Sequence, residues 1–340
     1  MLKTTTPFVS PWLAKAVAFL FLSGCSSFHQ SKDEVWIRHG TNGLLEYWKP
    51  ISEASTQHWP YAWASMAAYQ YEKELKLVGN TTKKEKVYGD GCTESPTEFL
   101  GNHGWTAWPE IPALGDQSAL GKLMTKAHLR AQVWENPSRK QIIVAFGGTN
   151  GIVDLEADMR WVEMPFGIPQ DQYTVLFEEF VPAFRQIFEA KKQAQDGAWM
   201  SSASIVATGH SLGGGLAQGF AYAISYAGVK VTDVVTFDPS PVSGKRQVSN
   251  WQDVAPGIKI QRIYHRGELL AILRAGFNSV LPPKASNAVF TDIRYASEWG
   301  MSTPLTVVGA VRSHFLRHLA CTMAKSADLN MYISPGQGVY

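Results

Sequence analysis

Cysteine is scarce in this chain. Three cysteines among 340 residues allow at most one intramolecular pair and one left over. Charge of either sign is also in short supply. Thirty-one Lys and Arg stand against 29 Asp and Glu, a formal net charge of +2, and nothing in that balance points to nucleic acid. The apolar run at residues 16–22 is too short to span a bilayer stably. Internal repeats and low-complexity tracts are missing. What is there is an ordinary globular composition, 45% hydrophobic and 18% charged. The length suits one large domain or two small ones, and an α/β domain of this size can bury a substantial core.

The N-terminus reads as an address rather than as fold. Lys3 and Lys15 precede the apolar run, and Ser23-Gly24-Cys25 follows it, the shape of a secretory signal. Leu22-Ser23-Gly24-Cys25 resembles the bacterial lipobox. The resemblance implies a signal peptide over 1–24, cleavage before Cys25, and a lipid such as palmitate on that cysteine. Acyl chains hold a protein at a membrane by burying CH₂ groups. The expected location is therefore the bacterial cell envelope, and Ser26 in place of Asp after the cysteine points to the outer membrane. Cleavage removes Lys3 and Lys15 and no acid, which takes the formal charge from +2 to 0. Cys92 and Cys321 then remain, and an oxidising periplasm would let them pair.

Residues 25–50 read as tether and lead-in, and 51–340 as a single domain with insertions near 80–118 and 275–304. Trp63, Ala67, Tyr71 and Leu75 recur at fourfold spacing and predict a helix over 61–77. Apolar runs at 131–135 and 141–146 flank Asn136-Pro137-Ser138-Arg139 and predict a hairpin. Phe177, Phe180, Val181, Phe184, Ile187 and Phe188 form a helical stripe with Pro182 as a kink. Strands are expected at 204–208, 231–237 and 258–264, with a helix marked by Leu212, Leu216, Phe220 and Ile224 and ended by Gly228, and a last helix at 315–324. This alternation predicts an α/β fold with a mainly parallel sheet and helices on both faces.

Gly209-His210-Ser211-Leu212-Gly213 follows the apolar run Ile205-Val206-Ala207 and opens a helix of small residues. Gly-x-Ser-x-Gly between strand and helix is a nucleophile elbow, which presents the serine hydroxyl at the tip of a tight turn. Ser211 is the candidate nucleophile. The Leu212 N–H is one candidate oxyanion donor. The second comes from Val144-Ala145-Phe146-Gly147-Gly148-Thr149, a strand end whose glycines let the backbone approach a substrate and whose Thr149 can donate its N–H.

The segment 144–158 resembles the oxyanion region of class 3 lipases, in which Phe-Arg-Gly-Thr is followed by Asp-Trp-x-x-Asp. Phe146, Gly148, Thr149, Asp154 and Asp158 fall in register, whereas Gly147 replaces the Arg and Leu155 the Trp. Gly209-His210-Ser211-Leu212-Gly213-Gly214 matches that family's elbow. The resemblance covers roughly residues 55–325 and implies the α/β-hydrolase fold and hydrolysis of lipid esters; no cofactor and no metal are expected. Asp154 and Asp158 share a helical face, and Asp154 is read as a support of the oxyanion loop rather than as a metal ligand.

The acid should follow Ser211 in the chain. Glu268, at the end of the strand carrying Arg262-Ile263-Tyr264-His265, falls where the family has its acid and is the first choice. Asp238, in Phe237-Asp238-Pro239, is the alternative. The base should precede the last helix, where His314 is preferred to His318. His265 is a lesser candidate, and strand alternation points His210 away from Ser211. Together these residues would perform acyl transfer on an ester. The apolar segment 160–169 and the aromatic-rich stretch 277–299 are placed to border the site and suit an acyl chain. Two other readings stay open: a non-catalytic envelope lipoprotein on a hydrolase scaffold, and a serine peptidase or amidase.

Overall fold

The computed structural model describes residues 31–40, 47–70, 92, 94–148, 170–266, 289–296 and 314–329. Its strands are β1 (Glu34–His39), β2 (Tyr47–Pro50), β3 (Thr106–Ala107), β4 (Ala131–Asn136), β5 (Gln141–Phe146), β6 (Ser204–His210), β7 (Asp233–Phe237), β8 (Lys259–His265) and β9 (Val289–Tyr295). They form one sheet in the spatial order β2-β1-β9-β8-β7-β6-β5-β4-β3. The centre, β5 to β9, is parallel, and the pairs at both margins are antiparallel. The helices are α1 (Ile51–Ala68), α2 (Pro96–Asn102), α3 (Ala119–Lys126), α4 (Gln170–Val175), α5 (Val181–Gln193), α6 (Leu212–Tyr226), α7 (Trp251–Val254) and α8 (Leu316–Ser326).

The sheet is buried on both faces, which is why its central strands read as unbroken apolar runs. Alternate residues feed two cores. Ile142, Val144, Phe146, Ile205, Ala207 and Val234 pack with Phe180, Phe184 and Phe220 of the α5–α6 layer. Ile143, Ala145, Val206, Val235 and Ile263 pack with Trp59 and Trp63 of α1 and Leu319 and Met323 of α8. This is the doubly covered, mainly parallel sheet that the strand and helix alternation predicts.

Several elements depart from expectation. Residues in the lead-in form β1 and β2, because Val35 and Ile37 alternate into the α1–α8 core. The stretch placed in the second insertion contains β9, which joins β1 to the parallel centre. The helix expected over 61–77 starts at Ile51 and ends at Ala68, and positions 71 and 75 lie outside the described residues. The described part of the first insertion is ordered by α2 and by Trp105 and Trp108, both buried. Near Pro182 the chain forms a π-helical turn, Leu176–Phe180, directly before α5, and such widened turns accommodate a residue that cannot complete the helical ladder. The hairpin is present: the Asn136 side-chain oxygen accepts from Arg139 N at 3.0 Å, and Lys140 takes the left-handed position. Cys92 and Cys321 are joined, with Cα atoms 6.0 Å apart. Among the described residues no helix is long and apolar enough to cross a membrane.

Candidate active site

The register of the parallel strands brings their carboxyl ends to one edge. Phe146 pairs with Gly209, His210 with Phe237, and Phe237 with Ile263. Gly147-Gly148, Ser211 and Asp238 therefore leave the sheet side by side, where ligand sites of open α/β sheets form.

Ser211 has φ 55° and ψ −124°, a backbone state that costs a non-glycine residue about 1–3 kcal/mol. Its surroundings enforce the turn. Ser211 N donates to Phe237 O at 3.0 Å, and Ser211 O accepts from Gly214 N at 3.0 Å and from Ser240 N at 2.9 Å. Gly213 is required because a Cβ there would overlap the Phe146 carbonyl of the adjoining strand. Helix α6 begins at Leu212, so its first amides, which have no intrahelical partner, open toward the serine. The Ser211 hydroxyl makes no hydrogen bond with a described residue. Hydrogen bonds of this kind often tighten only when substrate is bound.

Asp238 follows β7 in a left-handed conformation (φ 43°) and is fully buried. His314 lies just ahead of α8 and is also buried. Its ring nitrogens, those of His210 and the Asp238 carboxylate include a set of atoms all within 4.8 Å of one another. His210 contacts both of the others. Its ring centroid is 4.7 Å from that of His314, and its Nε2 is 3.9 Å from Asp238 Oδ2. His318 lies one turn into α8, half-buried, outside this cluster.

The tautomer of His210 follows from its partners. Nε2 faces the carbonyl oxygen of His314 at 2.7 Å, and a carbonyl only accepts, so Nε2 carries the hydrogen. Nδ1 then accepts from the Tyr69 hydroxyl at 2.5 Å. Burial holds the pKa of His210 well below the usual histidine value, and the neighbouring His314 lowers it further. Neutral His210 is thus a strut between Tyr69, at the end of α1, and the backbone of His314. As a metal site the cluster is compromised, since both nitrogens of His210 are already committed.

Of the residues singled out in the sequence, Ser211, Leu212, Asp238 and His314 converge at this edge. His265 ends β8 and is buried. Thr149, Glu268, Cys25, Asp154, Asp158 and the apolar segment 160–169 lie outside the described residues. Sequence reasoning missed Tyr69, Arg130 and the part played by His210. Parity held the clue to His210: Val206, Thr208 and His210 share the sheet face packed by α1 and α8, the face from which His314 arrives.

A serine in a strained strand-to-helix turn on a mainly parallel, doubly covered sheet is the α/β-hydrolase arrangement. Residues 143–275 match the family model for lipase (class 3). The fold is similar to that of a Rhizomucor miehei lipase in its propeptide complex, with 17% identity over 81% of this chain and 79% of that one, at a TM-score of 0.43. It is similar to lipase II from Rhizopus niveus, with 14% identity over 82% and 95% of the two chains and a TM-score of 0.43. A lipase from Rhizopus microsporus var. chinensis gives 14% identity over 69% and 70%, at a TM-score of 0.40. No curated protein matches the chain.

Proposed function

We propose that this protein is a serine hydrolase that cleaves carboxylic esters of lipids, as a lipase, esterase or phospholipase. The observation that carries the reading is the convergence, at one sheet edge, of Ser211 in its strained turn with buried His314 and Asp238. The match of residues 143–275 to class 3 lipases supports the same chemistry.

In this reading His314 takes the proton of Ser211 as Oγ attacks the ester carbonyl carbon, and the N–H groups of Leu212 and Thr149 hold the oxyanion. The tetrahedral intermediate collapses. His314 passes its proton to the departing alcohol oxygen, which leaves an acyl-serine. Water then attacks the acyl carbon, its proton goes to His314, and Ser211 recovers that proton as the fatty acid departs. Asp238 is the proposed acid that holds the His314 imidazolium. It is favoured over Glu268 because its carboxylate is buried among the histidine nitrogens. We also propose an enzyme anchored in the bacterial envelope through lipid on Cys25. The lipobox-like sequence supports this, and the Cys92–Cys321 pair suits an oxidising compartment.

Replacing Ser211 by Ala is expected to abolish p-nitrophenyl ester hydrolysis and fluorophosphonate labelling with an unchanged circular dichroism spectrum; undiminished turnover rules the assignment out. Asp238→Asn is expected to lower kcat by about 10⁴-fold, the loss seen when a triad acid is neutralised, and Glu268→Gln by less than about tenfold. The reverse order would assign the acid to Glu268. Matched ester and amide substrates separate an esterase from a peptidase. Radiolabelled palmitate should enter the wild-type chain and not Cys25→Ala, and an unlabelled wild type would remove the anchor.

A further inference from the structure

Arg130 is only 4% exposed and stands immediately before β4. Its backbone carbonyl accepts from Gly147 N at 3.0 Å, and its Nη1 donates to the Gly148 carbonyl at 3.1 Å. Gly147 and Gly148 lead out of β5 against the elbow, so closely that a Cβ at Gly148 would meet Ser211 Cβ at 3.2 Å. The class 3 lipase pattern has Arg where this chain has Gly147. A side chain has no room there, because its Cβ would lie 2.9 Å from the Ala68 carbonyl oxygen and 3.1 Å from Arg130 Cβ. A guanidinium therefore reaches this loop from the neighbouring strand instead of from within the loop.

We propose that Arg130 is a positioning residue for acyl transfer: its guanidinium clamps the peptide unit that joins Gly148 to the next residue. A peptide is planar, with its C=O and N–H on opposite sides, so a group that fixes the Gly148 carbonyl also fixes the direction of the N–H in the same unit. That N–H belongs to Thr149, the proposed second oxyanion donor. A hydrogen bond from a cationic donor is about twice as strong as a neutral one, and it polarises the amide whose oxygen it engages. Arg130 would thus hold the donor in place before charge develops, and an oxyanion hole is effective because it needs no reorganisation during the reaction. The proposal rests on the serine-hydrolase reading of Ser211.

The test compares Arg130→Met with Arg130→Lys in the full chain. Both substitutions retain a long apolar stem, and only lysine retains a cationic donor. Fluorophosphonate labelling of the wild type, absent in Ser211→Ala, is established first, so that loss of the hydrolase reading is seen separately and takes this proposal with it. Rates on a p-nitrophenyl ester are normalised to titrated serine. Removing an oxyanion donor outright lowers kcat by about 10²–10³-fold. Misorienting one is expected to lower it by roughly 10–100-fold in Arg130→Met with KM within about twofold, and Arg130→Lys should recover most of the loss. A wild-type kcat in the methionine variant overturns the proposal. So does an equal loss of kcat in both variants, which marks a packing role only. If Arg130→Met does not fold by circular dichroism, Arg130→Gln replaces it and the same comparison with lysine decides.

Discussion

At the scale of single residues, a histidine that the reaction does not consume has the most tightly determined state in the site. His210 is neutral: the His314 carbonyl fixes the hydrogen on Nε2, and Nδ1 therefore accepts from the Tyr69 hydroxyl. Tyr69→Phe removes the donor to Nδ1. A buried acceptor left without a donor costs about 1–3 kcal/mol, and the ring becomes free to exchange tautomers and release the His314 carbonyl. The expected outcome is a lower melting temperature together with a kcat reduced by about tenfold, since the geometry of a proton-transferring group contributes orders of magnitude in rate. A variant that melts earlier and keeps full kcat would reduce the strut to a packing contact. The strand-to-helix turn at Ser211 was legible from glycine spacing alone, because the turn imposes that spacing locally. The proposed acid was not, because Asp238 and Glu268 both follow strands and nothing local to either says which carboxylate meets the histidines. Asp238 is the one that the described residues bring there.

At the scale of elements, α8 matters most. His314 sits at its start, and Cys321 ties its middle to the segment before α2. Cross-linking chain positions this far apart typically adds about 2–4 kcal/mol by restricting the unfolded chain. Urea unfolding of a Cys92→Ser, Cys321→Ser double variant should show a loss of that order. Ester hydrolysis should weaken as well, because the helix that presents His314 loses its tie. Identical midpoints with and without the cross-link would contradict this. The central strands, the elbow helix and α8 were readable because each carries its own period or run. β1 and β9 were not. They pair across most of the chain, and their other residues are Trp36, Arg38, Asp292 and Arg294, whose polarity hides a strand that is apolar on one face only. Guanidinium groups covering aromatic rings, Arg294 over Trp36 and Arg262 over Phe290, explain why such residues sit well there.

At the scale of the whole molecule, buried neutral histidines couple stability to pH. His58 of α1 is fully buried, donates to Gln261 at 2.8 Å, and has its pKa lowered by burial from 6.5 to about 4. Between those two values the unfolded chain binds the proton and the folded chain does not. Stability is therefore complete above about pH 6.5 and falls as the pH drops toward 4, by roughly 3 kcal/mol from this residue. His210 acts in the same direction. Denaturant midpoints are expected to fall between pH 7.5 and 4.5, and His58→Gln should flatten that slope. A midpoint independent of pH over this range would refute the coupling.

The position of α8 in the chain has one more consequence. Ribosomes deliver the hydroxyl of Ser211 long before they deliver His314, and the bond to Cys321 needs still later residues. On the proposed mechanism a half-made molecule would carry a nucleophile with nothing to take its proton, and the last helix would act as the safety catch that keeps it harmless to lipids.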